Sequence, residues 1–310
     1  MQRDQLVMPK VKKYSFTIFN WSIKNYMNLF TYPHTVTTLF KLSFKLFQKN
    51  LLGMLTLTVV LLAPSLIVGL AQWFETESVV FFISMRVLES AMALGMIAVA
   101  HGSIFPISGI LRSFGGPLLF GAIHVAILQY LLFVIGVMGL TVMPFPFNII
   151  IVVLWLSSLF YFCLAQPVFI LEGRRGMQAM IRSFQLVRAK FGRVFIIVVL
   201  SMLIQFSIFA LLFRLFLPEL DLLSAEDTEQ IQIQIASILE NEGVHRAMRL
   251  SQYLTALAFF PFASLLTVLL YFDLVNQEGQ LNSDHFSKLA TQFFGIGSEN
   301  SNRPDTPPQD

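Results

Sequence analysis

Residues 118–140 read LLFGAIHVAILQYLLFVIGVMGL, with no Asp, Glu, Lys or Arg among them. At about 1.5 Å per residue, a helix of this length covers the roughly 30 Å of a bilayer's hydrocarbon. Five further apolar runs flank it, at 51–73, 79–100, 147–171, 194–216 and 250–274. None shows the alternation of a barrel strand. A segment in hydrocarbon must satisfy its own backbone polar groups, so each run is expected to be a helix. The expected fold is therefore an all-α integral membrane bundle of six transmembrane helices. Composition agrees, with 55% hydrophobic and 13% charged residues and a mean hydropathy of +0.70, where soluble domains carry roughly 25% charge. The first run starts too late, and with the wrong flanks, to be read as a cleaved secretory signal.

The net charge of +3 conceals a strong asymmetry. Arg3, Lys10, Lys12, Lys13, Lys24, Lys41, Lys45 and Lys49 precede the first run. Arg112 lies between the second and third, and Arg174, Arg175, Arg182, Arg188, Lys190 and Arg193 lie between the fourth and fifth. The alternate loops hold Arg246 and Arg249 against a majority of acidic residues, among them Glu77, Glu219, Asp221, Glu226 and Glu242. Lys/Arg bias orients a multi-pass chain, so both termini are expected in the cytoplasm. Trp73 would then lie at the outer interface.

Three segments on the basic side have helical amphipathic spacing, at 39–49, 107–114 and 177–190, and suit helices lying in the membrane interface. The pairs Ser43-Phe44, Ser113-Phe114 and Ser183-Phe184 recur at an interval of 70, each ahead of two apolar runs. This spacing suggests a threefold repeat of interfacial helix plus helical hairpin, against coincidence in so hydrophobic a chain. Residues 1–35 form a basic, aromatic extension, which either lies along an anionic membrane face or is only partly ordered. Residues 36–290 form the six-span domain, and 291–310 a tail of disordered composition. In the acidic loop 217–249, Ile231, Ile235, Ile238 and Leu239 fit a short helix at the outer surface. Gln230 to Ile235 also alternates as a strand would, and a plain solvated loop fits equally well.

Two segments, Gln166-Pro167-Val168-Phe169-Ile170-Leu171-Glu172-Gly173 and Ala179-Met180-Ile181-Arg182-Ser183-Phe184-Gln185-Leu186, carry a family resemblance, joined by Leu270-Tyr271-Phe272-Asp273-Leu274 and Glu278-Gly279. Over roughly residues 35–290 the chain resembles the membrane-domain family associated with glycerophosphoryl diester phosphodiesterases and related bacterial inner-membrane proteins. Val275, Asn276 and Gln277 stand where that family's closing segment usually continues with Arg. The resemblance implies a multi-helix fold in a bacterial inner membrane and assigns no catalytic residue. The phosphodiesterase chemistry belongs to a separate soluble barrel, and the stretches between runs here are too short to hold one.

Ionisable residues inside spans are functional candidates, because charge at the bilayer centre is costly. Arg86 and Glu89 are one helical turn apart, so they form either a self-neutralising pair or, with His124, a polar site lining a cavity. His34, His101 and His124 lack the spacing of metal ligands, and neither a metal nor a cofactor is expected. The lone Cys163 excludes an intramolecular disulfide and reads as a small buried hydrophobe. Glu172, Asp273 and Glu278 stand at the basic ends of spans as a candidate structural latch, with Asp273 pairing Arg182 or Glu172 pairing Arg188. Arg112, Arg182, Arg188 and Lys190 are candidate binders of anionic lipid headgroups or phosphate. Pro64, Pro167 and Pro261 could open helices or be silent, and Ala91 with Gly95 would let another helix approach.

No nucleophile elbow, phosphate loop or zinc-protease signature occurs. The expected function is that of a non-catalytic inner-membrane protein, one that organises anionic lipid or a membrane-protein partner at the cytoplasmic leaflet. Nucleic acid is not an expected partner. The alternative is a transporter or lipid-translocating protein using the Arg86/Glu89/His124 site.

Overall fold

Helix is the only regular structure among the described residues of the computed structural model, which are 34–70, 74–100, 103, 105–145, 147–216, 242–279 and 283–295. The elements are α1 (Val36–Lys49), α2 (Leu51–Leu70), α3 (Phe74–Ala100), α4 (Ile107–Ser113), α5 (Pro117–Val142), α6 (Phe147–Tyr161), α7 (Ala165–Glu172), α8 (Met177–Ala189), α9 (Phe191–Phe216), α10 (Glu242–Gln277) and α11 (Ser283–Phe294). Six stretches are long and apolar enough to cross a membrane: α2, α3, α5, α6 with α7, α9 and α10. The protein is an all-α bundle of six such helices. The extension 1–33, Trp73, His101, the surface helix expected at 231–239 and the tail from residue 296 lie outside the described residues.

The six spans are not equivalent. The most apolar window of α3 is 72% buried inside the protein and that of α10 is 56%, whereas the other four lie between 11% and 28%. The two central helices pack on each other. Around them, α2, α5 and α7 lie against α3, while α1 and α9 lie against α10. The peripheral spans turn large apolar side chains outward, such as Ile135, Leu154 and Phe206. That is the arrangement of a bundle solvated by hydrocarbon rather than water.

Small residues set how closely the helices approach. A Cβ on Gly136 of α5 would lie 1.9 Å from Trp155 Cδ1 of α6, and one on Gly121 would lie 2.4 Å from the Phe169 ring of α7. At Gly95 the space is filled by Phe105, which folds back from the α3–α4 connection, and by Ile110 of the short helix α4.

The fourth apolar run is two helices. α6 stops at Tyr161 and α7 starts at Ala165. Pro167 accounts for the position, since a proline donates no hydrogen bond and its ring crowds the carbonyl four residues back, that of Cys163. Within α7 it occupies the first turn, where no intrahelical partner is needed. Pro64 and Pro261 are carried inside continuous helices.

Of the three amphipathic segments, α1 does not lie apart from the bundle in the membrane plane. The His34 backbone N–H donates to Asp273 Oδ1 at 2.7 Å, and ten residues on, Phe44 meets Phe262 at 6.5 Å between ring centroids. Equal rises on the two helices mean that α1 runs antiparallel along the last part of α10, and Phe40 and Phe47 also close on Phe262. A short helix precedes a pair of spans three times, yet the three Ser-Phe pairs occupy unlike settings. Ser43 is fully buried with no hydrogen-bond partner, while Ser113 donates to the Phe293 carbonyl of α11. Phe114 is buried, whereas Phe44 is half-exposed. These settings do not establish a threefold repeat.

Gly136→Val should drive Trp155 out of its seat and cost about 1–3 kcal/mol of overpacking. Gly192→Ala, with open space where its Cβ falls, should change stability by less than about 1 kcal/mol. Thermal unfolding of both variants in detergent checks the contrast.

Candidate functional site

The break between α6 and α7 leaves backbone groups short of their usual helical partners. It lies within a stretch apolar enough to cross a membrane, where backbone groups must be satisfied inside the protein. Two side chains from other helices take them up. Ser183 Oγ of α8 donates to the Tyr161 carbonyl at 2.8 Å and accepts the Leu164 N–H at 3.2 Å. Gln129 Nε2 of α5 donates to the Phe162 carbonyl at 2.7 Å. Gln166 of α7 extends this network, donating to Gln129 Oε1 and to the Ala122 carbonyl and accepting from Ser90 of α3.

Beside the network lies a small, partly open cleft of about 20 Å³, lined among others by Phe82, Arg86, Gln129, Ser158, Phe162 and Cys163. Arg86 Nη1 donates to Glu89 Oε2 at 2.9 Å, and the guanidinium stands over the Phe82 ring at 5.2 Å. The Glu89 side chain is 3% exposed and that of Arg86 is 27%. The expected third member does not join them. His124 is exposed and lies against Gly176 at the start of α8, where a Cβ would fall 2.9 Å from its Nε2. Gln129 and Ser158 furnish the cleft instead. Both are polar residues inside apolar runs, and that was the available sequence signal.

At the basic end of the bundle the latch exists with different pairings from those expected. Arg182 does not pair with Asp273. Its Nε donates to Glu172 Oε1 at 3.1 Å and its Nη2 to Glu278 Oε2 at 2.8 Å. Glu172 also receives the Tyr271 hydroxyl at 3.1 Å and pairs with Arg174 at 2.8 Å, and no pairing with Arg188 occurs. Asp273, fully buried at its carboxylate, takes the His34 N–H, Gln277 Nε2 at 2.8 Å and the charge of Arg193 at 3.0 Å. Both glutamates that hold Arg182 close a helix just before a left-handed glycine, Gly173 at φ 68° and Gly279 at φ 67°. A glycine there lets the chain leave the helix at once and leaves the carboxylate at the helix end.

Burial alone would lower the pKa of Arg182. The hydrogen bond to Glu278, with the charge and hydrogen bonds of Glu172, outweighs it and holds the group above its ordinary value. Arg182 is thereby committed within the protein, and the candidate headgroup set reduces to Arg112, Arg188 and Lys190, all exposed. Residues 177–189 also show a face that sequence reading did not separate. Met177, Ile181 and Phe184 are exposed, while Ala179, Met180, Arg182, Ser183, Leu186 and Val187 are turned inward.

The opposite end has its own cluster. The Tyr253 hydroxyl lies 2.9 Å from Glu77 Oε1 and 3.0 Å from the Ser65 carbonyl, with Arg249 3.8 Å from Glu77. It ties α2, α3 and α10 together. Among the described residues there is no group of three His, Cys, Asp or Glu side chains placed to hold a metal.

No family model, no curated protein and no solved structure matches this chain.

Arg182→Met would strand Glu172 and Glu278 beside each other at a partly exposed site. The expected loss is about 2 kcal/mol, between the ~0.5 kcal/mol of an exposed pair and the ~4 kcal/mol of a buried one. Arg174→Met, at an exposed arginine, should cost less than about 1 kcal/mol. Denaturation midpoints of the two variants in one detergent decide it.

Proposed function

We propose that this protein is a non-catalytic multi-pass membrane protein that gathers anionic lipid at its basic end. By the Lys/Arg bias that end faces the cytoplasm, and the family resemblance supports a bacterial inner membrane. The observation that carries this reading is the two-sided character of α8. One side is locked into the bundle through Arg182, Ser183 and Leu186. The other presents Met177, Ile181 and Phe184 at helical spacing, with Arg174 and Arg175 ahead of the helix and Arg188 and Lys190 at its end, all four exposed.

Such a stripe is suited to the boundary between acyl chains and headgroups, with the apolar residues on the chains and the cations at phosphate level. Because α8 is held rigidly, the cations stand at set positions. Each basic residue near an anionic surface contributes about 1 kcal/mol, with larger gains where guanidinium meets phosphate. Membership of the membrane-domain family that the sequence resembles belongs to this proposal. Its support is that Glu172, Arg182 and Glu278, from three separate resembling segments, meet in one ion cluster.

The test is native mass spectrometry of the full chain released from nanodiscs of mixed phosphatidylglycerol and phosphatidylcholine. The wild type should retain phosphatidylglycerol preferentially. Arg112→Gln, Arg188→Gln and Lys190→Gln combined should reduce that preference by about fivefold for each residue that contributes its ~1 kcal/mol. Equal retention of the two lipids by the wild type, or an unchanged preference in the variant, would sink the reading.

A further inference from the structure

Arg86 holds a charge well inside its span, and its protein partners leave part of it unserved. Along the span Glu77–Ala100 it stands about 14 Å from one end and about 21 Å from the other. One N–H goes to Glu89, and a face of the guanidinium lies over the Phe82 ring. Among the described residues it meets no second hydrogen-bond acceptor. Yet 27% of the side chain stays open, on the helix whose apolar window is the most buried of the six. A guanidinium so placed in hydrocarbon is costly, so its remaining donors call for an acceptor small enough to reach them.

The cleft at Arg86 fixes the size of that acceptor. Its volume of about 20 Å³ exceeds the roughly 10–15 Å³ that a water molecule needs, and is room for about one. The lining fixes the chemistry. Ser158 Oγ spends its hydrogen on the Trp155 carbonyl, which leaves its lone pairs to accept. Gln129 Oε1 accepts from Gln166 at 3.4 Å and, as an amide oxygen, has a second lone pair. The Phe162 carbonyl, by contrast, is filled by Gln129 and by the Ala165 N–H. The cleft therefore presents one donor group, Arg86, and two acceptor oxygens, among the apolar side chains of Phe82, Leu132 and Leu159. An anion would suit Arg86 but not the two oxygens, and a cation the reverse. A molecule that both accepts and donates suits all three.

We propose that this cleft is the binding site of one resident water, which accepts from Arg86 and donates to Ser158 Oγ and Gln129 Oε1. Three hydrogen bonds are the usual complement of a buried water. The water ties α3, α5 and α6 together through polar groups that no direct hydrogen bond joins, and it lets Arg86 keep its charge inside the span. The site is separate from the basic residues of α4 and α8.

Solid-state NMR of the full chain in phosphatidylcholine liposomes, with nitrogen-labelled arginine side chains, tests this by transfer of polarisation from water. The Arg86 signal is identified as the one missing from Arg86→Gln with Glu89→Gln. It should receive polarisation from water, and keep doing so when a gadolinium chelate on both sides of the membrane quenches the exposed Arg188. Ser158→Val fills the cleft with methyl groups and removes one acceptor, so it should abolish the transfer. Ser158→Ala keeps the space and loses only the acceptor. If the valine variant does not fold, the alanine variant should still shorten the water's residence by about fivefold, the loss of one hydrogen bond. Transfer to Arg86 from acyl-chain protons alone would mean a lipid occupant. Quenching of Arg86 along with Arg188 would mean a crevice open to bulk water, and transfer unchanged in both serine variants would place the water elsewhere; each overturns the proposal.

Discussion

An interrupted helix in an apolar span leaves carbonyl and amide groups that must be satisfied inside the protein, and this chain meets the demand with two side chains borrowed from elsewhere. Gln129 serves the Phe162 carbonyl, and Ser183 serves both the Tyr161 carbonyl and the Leu164 amide. Much follows from that obligation. α5 and α8 lie against the break, α7 packs on both α3 and α5, and α6 stays with α5. The small cleft beside Arg86 opens next to the break.

The remaining stability is distributed as a membrane bundle requires. Hydrocarbon outside the protein is as apolar as the core, so burial of leucine contributes little by itself, and close packing and polar contacts carry more. Glycines that face Phe105, Phe169 and Trp155 let large rings seat against backbone. At the basic end, Arg182 draws the closing turns of the fourth and sixth spans together through Glu172 and Glu278. Asp273 holds the start of α1 through a backbone amide and lies beside Arg193 at the start of α9. At the other end Tyr253 and Glu77 tie α2, α3 and α10. The lipid-facing reading of α8 depends on the first of these clusters, because only a fixed helix presents cations at fixed positions.

The six apolar stretches and their helical state were legible residue by residue, as was the partition of basic and acidic ends. Pro167 was visible as a possible opening of its helix, though the run around it read as one span. Glu172, Asp273 and Glu278 were legible as latch carboxylates, but their partners were not. Arg182 reaches Glu278 across 96 residues, and His34 reaches Asp273 across 239. Nothing in local spacing distinguishes those pairings from the ones expected. His124 drew notice as an ionisable residue in a span, whereas Gln129 and Gln166, neutral and inconspicuous, build the network. α11 was passed over, although Phe286, Leu289, Ala290 and Phe293 recur at helical spacing.

What the sequence determined alone is whatever depends on one residue and its near neighbours: which segments prefer hydrocarbon, that they must be helices there, and which loops carry cations. Transfer free energy and backbone satisfaction act locally, so a linear reading captures them. The tertiary structure decided which two spans became central, where the fourth span's exposed backbone found its partners, and which arginine was used up inside the protein while others stayed exposed. Those outcomes depend on shape complementarity among distant segments that are nearly alike in apolarity. Composition ranks such segments equally, and only their packing separates them.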